Sequence, residues 1–196
     1  DVMKTTGLLK SEVLEMNESL KSLDTRTAQN DLLGLGRVAG KLGIEGRENV
    51  EGFVRSADKI VVALKEDLGG DVEETINSVG KLVDIFNIDE DVPLELALLK
   101  VGSSINELGA ASTANEGFLV DFAKRMAGLA PSARISLTEI LGLAATLDQL
   151  GQTSEVSSTT FNNLLPKMFT DTGAFARLAK MSVQDFTDLM NKDANE

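Results

Sequence analysis

The 196-residue chain contains no cysteine, no histidine, no tryptophan and no tyrosine. Each absence closes off some chemistry. Without cysteine there is no thiolate nucleophile, disulfide or thiol redox couple, and without cysteine or histidine no zinc site of the usual ligand types. Without histidine there is no Ser-His-Asp triad and no histidine pH switch. Any catalysis would have to rest on carboxylates, Lys, Arg, Ser or Thr. Long apolar runs are also missing: none approaches the roughly 18 residues that a membrane span requires. The first residues lack a basic patch followed by an apolar block, so no secretory leader is expected. The alternating β-branched and aromatic patterns that mark strands are almost absent.

What is present is the composition of an ordinary globular domain. Hydrophobic residues make up 42% of the chain and charged residues 26%, enough apolar side chain for a real core and too little charge for a disordered tail. The net charge is −12, unevenly spread. Residues 44–91 carry thirteen acids against five bases, whereas residues 1–43 carry six of each. An acidic surface disfavours direct contact with nucleic acid, where affinity comes from Lys and Arg neutralising phosphates, and disfavours an anionic membrane. The chain begins at Asp1 and stops directly after a helical pattern, so it is expected to be a piece of a longer protein.

Apolar spacing reads as helix almost throughout. Leu9, Val13, Met16, Leu20 and Leu23 follow 4-3-4-3 intervals, and Val2 and Thr6 extend the series upstream. This is a heptad seam, suited either to a helical partner or to packing within the chain. A second helix is expected over residues 27–42, with Gly43 placed to end it. A third covers residues 47–67, its face formed by Val50, Phe53, Val54, Ala57, Ile60, Val61 and Leu64. Residues 71–86 form a fourth, and a fifth follows Pro93. Thr113 with Glu116, and Ser136 with Glu139, have the spacing of capping boxes and open two more helices. Pro166 is expected to kink or interrupt the helix holding Phe161, Leu164, Leu165 and Met168. Ser182 caps a last one. The fold class is therefore all-α: a compact bundle of about ten short helices joined by glycine-rich turns, with no sheet. Residues 1–34 read as a connecting helix carrying the heptad seam. Residues 35–196 read as the core domain, divisible into halves at 35–110 and 111–196.

Three stretches invite a chemical reading. In EDLGGDVEETINSVGKLVDIF, residues 66–86, two glycines sit among Asp67, Asp71, Glu73 and Glu74. An EF-hand loop needs oxygen ligands at alternate positions and glycine at the sixth; counted from Asp67, the third position is Gly69 and the sixth is Val72, so the pattern fails. A phosphate cradle needs Lys and Ser/Thr after the glycines, and here acids follow instead. A helix joint accounts for every residue, with Gly69 or Gly70 in the left-handed conformation and Asp71 as N-cap, backed by Glu74. Gly34-Leu35-Gly36-Arg37-Val38-Ala39-Gly40 resembles a dinucleotide loop only superficially, since no strand precedes it. Lys124-Arg125 is a lone basic pair, and Glu48/Glu51 and Asp148/Glu155 show no sign of a shared pocket. No catalytic, cofactor-binding or metal-binding residue is assigned, and no cofactor is expected.

Residues 41–86, 97–128, 136–151 and 178–196, taken in order, resemble the core region of phage tail tape measure proteins. The block from Ala57-Asp58-Lys59 to Asp67-Leu68-Gly69 is the most specific part, and the resemblance covers residues 35–196. It implies a long, mostly helical virion protein, often prophage-encoded, that lies in the tail tube and sets tail length as tube subunits polymerise around it. The implied partners are the tail tube protein and tail assembly chaperones, with self-association as a further contact. There is no direct nucleic-acid partner and no membrane segment. The implied location is the virion tail, or the bacterial cytoplasm during assembly. The core region has no agreed enzymatic residues. Two rival readings are a carboxylate-based cell-wall hydrolase module and a general helical adaptor unrelated to phage.

Overall fold

The computed structural model describes residues 1–90 and 92–192; the last four residues of the family-like segment at 178–196 lie outside the described residues. Among the described residues there are eleven α-helices and no strand. The expected all-α architecture is what the chain adopts.

The N-terminal heptad seam is two helices, not one: α1 (Val2–Thr6) and α2 (Lys10–Lys21). Gly7 separates them with φ +71°, in the left-handed region that glycine enters without steric penalty. The seam is spent inside the chain. Met16 and Leu20 are fully buried, whereas Leu9 is 66% exposed.

The next helices follow the apolar spacing closely. They are α3 (Gln29–Lys41), α4 (Arg47–Leu64), α5 (Val72–Ile85) and α6 (Leu94–Ala111). All seven residues expected on the face of α4 are buried, and α4 packs against α2, α3, α5 and α6. The buried Asp58 on this helix accepts a 2.9 Å hydrogen bond from the Thr25 hydroxyl, which satisfies an otherwise costly group.

The second half contains α7 (Glu116–Arg125), α8 (Leu137–Gln149) and α9 (Ser154–Thr170). They join the first half through α5–α7, α6–α7 and α6–α8 contacts, so one apolar core runs from Leu8 to Ala145. Phe122 stacks on Phe118 and meets the edge of Phe161, tying α7 to α9. The box at Ser136 and Glu139 forms as expected. The box at Thr113 and Glu116 does not. Asn115 is the N-cap of α7, and its side-chain oxygen accepts from the Phe118 amide. Asn, a stronger cap than Thr, stands immediately before the first turn.

The helix expected to be kinked or interrupted at Pro166 is not interrupted and runs on through it to Thr170. Asn162, Asn163, Pro166 and Lys167 are all exposed, so the backbone bond that proline removes is lost on a solvated stretch. Beyond it lie α10 (Thr172–Leu178), which has no counterpart among the expected helices, and α11 (Val183–Lys192). These two pack on each other, and α10 packs on α9. Ala176 and Phe186 are buried between them, apart from the main core. The two helices form a small C-terminal leaf.

Five joints close in the same way. At each, the amide after the left-handed residue bonds back five residues and the left-handed residue's own amide bonds back three, as in Ile44 to Ala39 with Gly43 to Gly40, and Met181 to Ala176 with Lys180 to Arg177. This is the Schellman geometry, and it needs one left-handed residue. Glycine supplies it at Gly43 and Gly151, but Asn87, Arg134 and Lys180 supply it at the other three. The joints are therefore less dependent on glycine than the composition implies.

Candidate functional site

The glycine pair of residues 66–86 is a joint. Gly69 and Gly70 have φ +103° and +80°. The Gly70 amide bonds to the Lys65 carbonyl at 2.7 Å. The Asp71 carboxylate accepts the Glu74 amide at 2.8 Å and so caps α5. Glu73 leaves this group altogether. It turns to Arg37 and Lys41 on α3 and locks α5 to that helix. Among the described residues no cluster of three or more acids is arranged to hold a metal ion.

The glycine run at residues 34–40 lies inside α3. Gly36 sits against Met16, Val2 and Val50, and Gly40 faces the backbone of Thr5 and Thr6. Gly40 is where α1 comes closest to α3, and a side chain there would hold the two helices apart, whereas one carbon at Gly36 would meet its neighbours at ordinary contact distance.

The remaining candidates are committed to ties between helices. Glu51 on α4 accepts the Ser19 hydroxyl of α2 and two N–H bonds from Arg55. Asp121 on α7 accepts the Ser154 hydroxyl of α9 and the Arg125 guanidinium, which also reaches Glu155 at 3.0 Å. The two groups have the same construction: a carboxylate, an arginine one turn later on the same helix, and a serine from another helix. Burial pushes the Glu51 carboxyl up, but the Ser19 and Arg55 bonds outweigh it and hold the group below its ordinary value. For Asp121, burial is likewise outweighed, by Ser154 and Arg125. The Ser136 hydroxyl and amide lower Glu139, and the bond to Asp121 raises Arg125. These three carboxyls thus move toward the ionised form, the opposite of what a general acid needs. Asp148 accepts the Asn115 amide at 2.8 Å and ties the end of α8 to the start of α7. The structure does not bring Asp148 and Glu155, or Glu48 and Glu51, to one reacting centre.

A groove lined largely by apolar side chains lies between α6 and α8. It consists of two adjoining hollows of 590 and 380 Å³ that share Ser104, Glu107, Thr138 and Leu141. Leu99 and Leu137 line it, and Leu96, 44% exposed, stands at its edge. Ser104, Ala111 and Gly142 also line it. A smaller polar cleft of 340 Å³ lies between α1, α3 and α5, but its Arg37 is already held by Glu73 and Asp1. The groove escaped the sequence reading because Leu96 and Leu99 look like one more core stripe. Only the packing shows that, among the described residues, no other helix covers them.

Among the described residues, the candidate polar groups named above serve helix ends and ties between helices. The family model described as phage-related minor tail protein matches residues 10–196. The chain belongs to this family. Membership makes it a structural component of the phage tail, with tail proteins as its partners and the virion tail as its place. The match begins within α2 and takes in every helix after it. No curated protein and no solved structure matches the chain. No described helix of this minor tail protein is long and apolar enough to cross a membrane.

Proposed function

We propose that this minor tail protein is a domain of the tail tape measure, occupying the tail tube and acting through protein contacts to set tail length. The observation that carries the reading is the family match over residues 10–196 together with the ordered tape-measure-like segments at 41–86, 97–128 and 136–151. In this reading the domain is not an enzyme, and its partners are the tail tube protein and the tail assembly chaperones. The commitment of Glu51, Asp121, Asp148 and Glu155 to inter-helix ties supports that side of it. A ruler converts residues into distance at about 1.5 Å each when helical. This chain instead folds back into a compact domain, so it serves as a body carried on the ruler. Residues 35–196 are the proposed core of that body, with residues 1–34 folded onto it through Met16, Leu20 and Leu32.

In-frame deletion of the coding segment from the parent phage or prophage tests this. Tails viewed by electron microscopy should be altered in length or absent. Tails of normal length and normal infectivity would rule out the assembly role.

A further inference from the structure

We propose that copies of this chain exchange α1, the first helix of each copy docking on α3 of the other to form a two-fold dimer. α1 belongs to α3 more than to its neighbour in sequence: it packs along α3 and scarcely touches α2. Val2 lies against Gly36, the Thr5 backbone lies over Gly40, and the Asp1 carboxylate reaches Arg37 at 3.5 Å. The link to α2 is only Gly7, Leu8 and Leu9. Gly7 bends it with φ +71°, and nothing stands within 4 Å of where its side chain would be. The family match begins at residue 10, so α1 and its link lie outside it.

The link can straighten without losing a hydrogen bond. The Gly7 amide already donates to the Met3 carbonyl, as a helical residue does. The Leu8 and Leu9 amides donate to side chains, to Thr6 Oγ1 at 3.3 Å and to the Glu12 carboxylate at 2.7 Å. In helical dihedrals they take the Lys4 and Thr5 carbonyls instead. The apolar spacing runs through the link unbroken, from Val2 and Thr6 to Leu9, Val13 and Met16. The straightened segment is therefore one seamed helix from Val2 to Lys21, about 30 Å long. Straightening carries α1 off its own α3. The floor it leaves accepts close-lying backbone at Gly40, and α1 of a second copy fits it in the same way. Two copies then make the same contacts twice, and the exchange closes about a two-fold axis. Leu8, buried in the compact form, and Leu9, 66% exposed, come to the crossing of the two straightened helices and cover one another there. The exchange does not depend on the tape-measure reading.

Gly7→Ala tests the proposal. Alanine is strained in the left-handed region and favoured in a helix, so the dimerisation constant, read by sedimentation over a concentration series, should rise by about a hundredfold or more, two hinges contributing. Gly43→Ala is the control. It puts alanine at φ +78° in a joint with equally open surroundings, between two helices that are both packed in the body, and should leave the constant at the parent value. The chain has no cysteine, so Val2→Cys with Gly36→Cys reports which α1 occupies which α3; a carbon added at Gly36 stands 3.6 Å from a Val2 methyl. In the Gly7→Ala dimer this pair should link two chains on a non-reducing gel, and in the monomer it should close within one chain. If Gly7→Ala folds poorly by circular dichroism, the paired-cysteine parent, refolded from urea at millimolar concentration, should show the same link between chains. A folded Gly7→Ala chain that stays monomeric through the millimolar range would overturn the proposal. So would a Gly43→Ala chain that dimerises as strongly, a dimer whose cysteines close within each chain, or refolding that yields no link between chains.

Discussion

A methyl group placed on Gly40 would stand 2.5 Å from the carbonyl carbon of Thr5. No ordinary contact is that short, and the obstacle is backbone, which cannot rotate away. Gly40→Ala should therefore push α1 off α3 and destabilise the fold by about 1–3 kcal/mol, the range for overpacking. Gly52, in the middle of α4, is the counterpart: it is exposed and nothing lies within 4 Å of its added carbon. Gly52→Ala should stabilise by about 0.5–1 kcal/mol through helix propensity alone. Urea denaturation of both variants checks the pair. Equal and opposite-signed results from those expected would mean that the glycines are incidental.

Asp71→Ala removes the cap of α5 and should cost about 1 kcal/mol. Calcium or magnesium added to the parent chain should leave its melting temperature unchanged, since the acids around Gly69 and Gly70 serve a helix end and a tie to α3. A rise in melting temperature with either ion that Asp71→Ala abolishes would restore the metal-loop reading.

Acid should weaken the fold through Glu51 and Asp121. Both have folded-state pKa values below their ordinary values of 4.5 and 3.8. The unfolded chain therefore takes up protons first, and the stability these groups contribute is complete above the ordinary values and lost as pH falls through the lowered ones. The urea midpoint should hold steady from neutrality down to about pH 5 and then decline. Ser19→Ala and Ser154→Ala should each cost about 1 kcal/mol at neutral pH and make the acid decline shallower. An unaltered decline in the double variant would show that other carboxyls govern it.

Lys180 adopts φ +57° to close α10, a conformation that costs an L-residue roughly 1 kcal/mol relative to glycine. Lys180→Gly should slow amide hydrogen exchange in α10 and α11 several-fold and leave α4 untouched, because the leaf is buried apart from the main core and opens by itself. Slower exchange in α4 as well would mean that leaf and body open as one unit.

Much of this protein follows from its sequence read along one dimension. The 3.6-residue apolar period placed the faces of α4 and α5, because a helix buries whichever stripe is apolar whatever it packs against. Local rules also gave the cap at Ser136 and the joint at Gly69-Gly70, whose causes lie within a few residues of chain. The missing cysteine and histidine removed whole classes of site before any fold was considered.

What depends on distant parts of the chain meeting could not be read that way. The heptad at residues 2–23 has the same spacing whether its partner is another molecule or α3 and α4; packing settled it, burying Met16 and Leu20 within the chain. Gly36 and Gly40 resemble a loop until α1 is laid across them. Ser19 and Ser154 carry no signal of their own, and become the third members of their ties only when α2 meets α4 and α9 meets α7. Leu96 and Leu178 belong to apolar stripes like any other, and only the count of neighbouring helices leaves them at the surface. Periodicity records which side of a helix is apolar, while tertiary packing decides which of those sides has a partner.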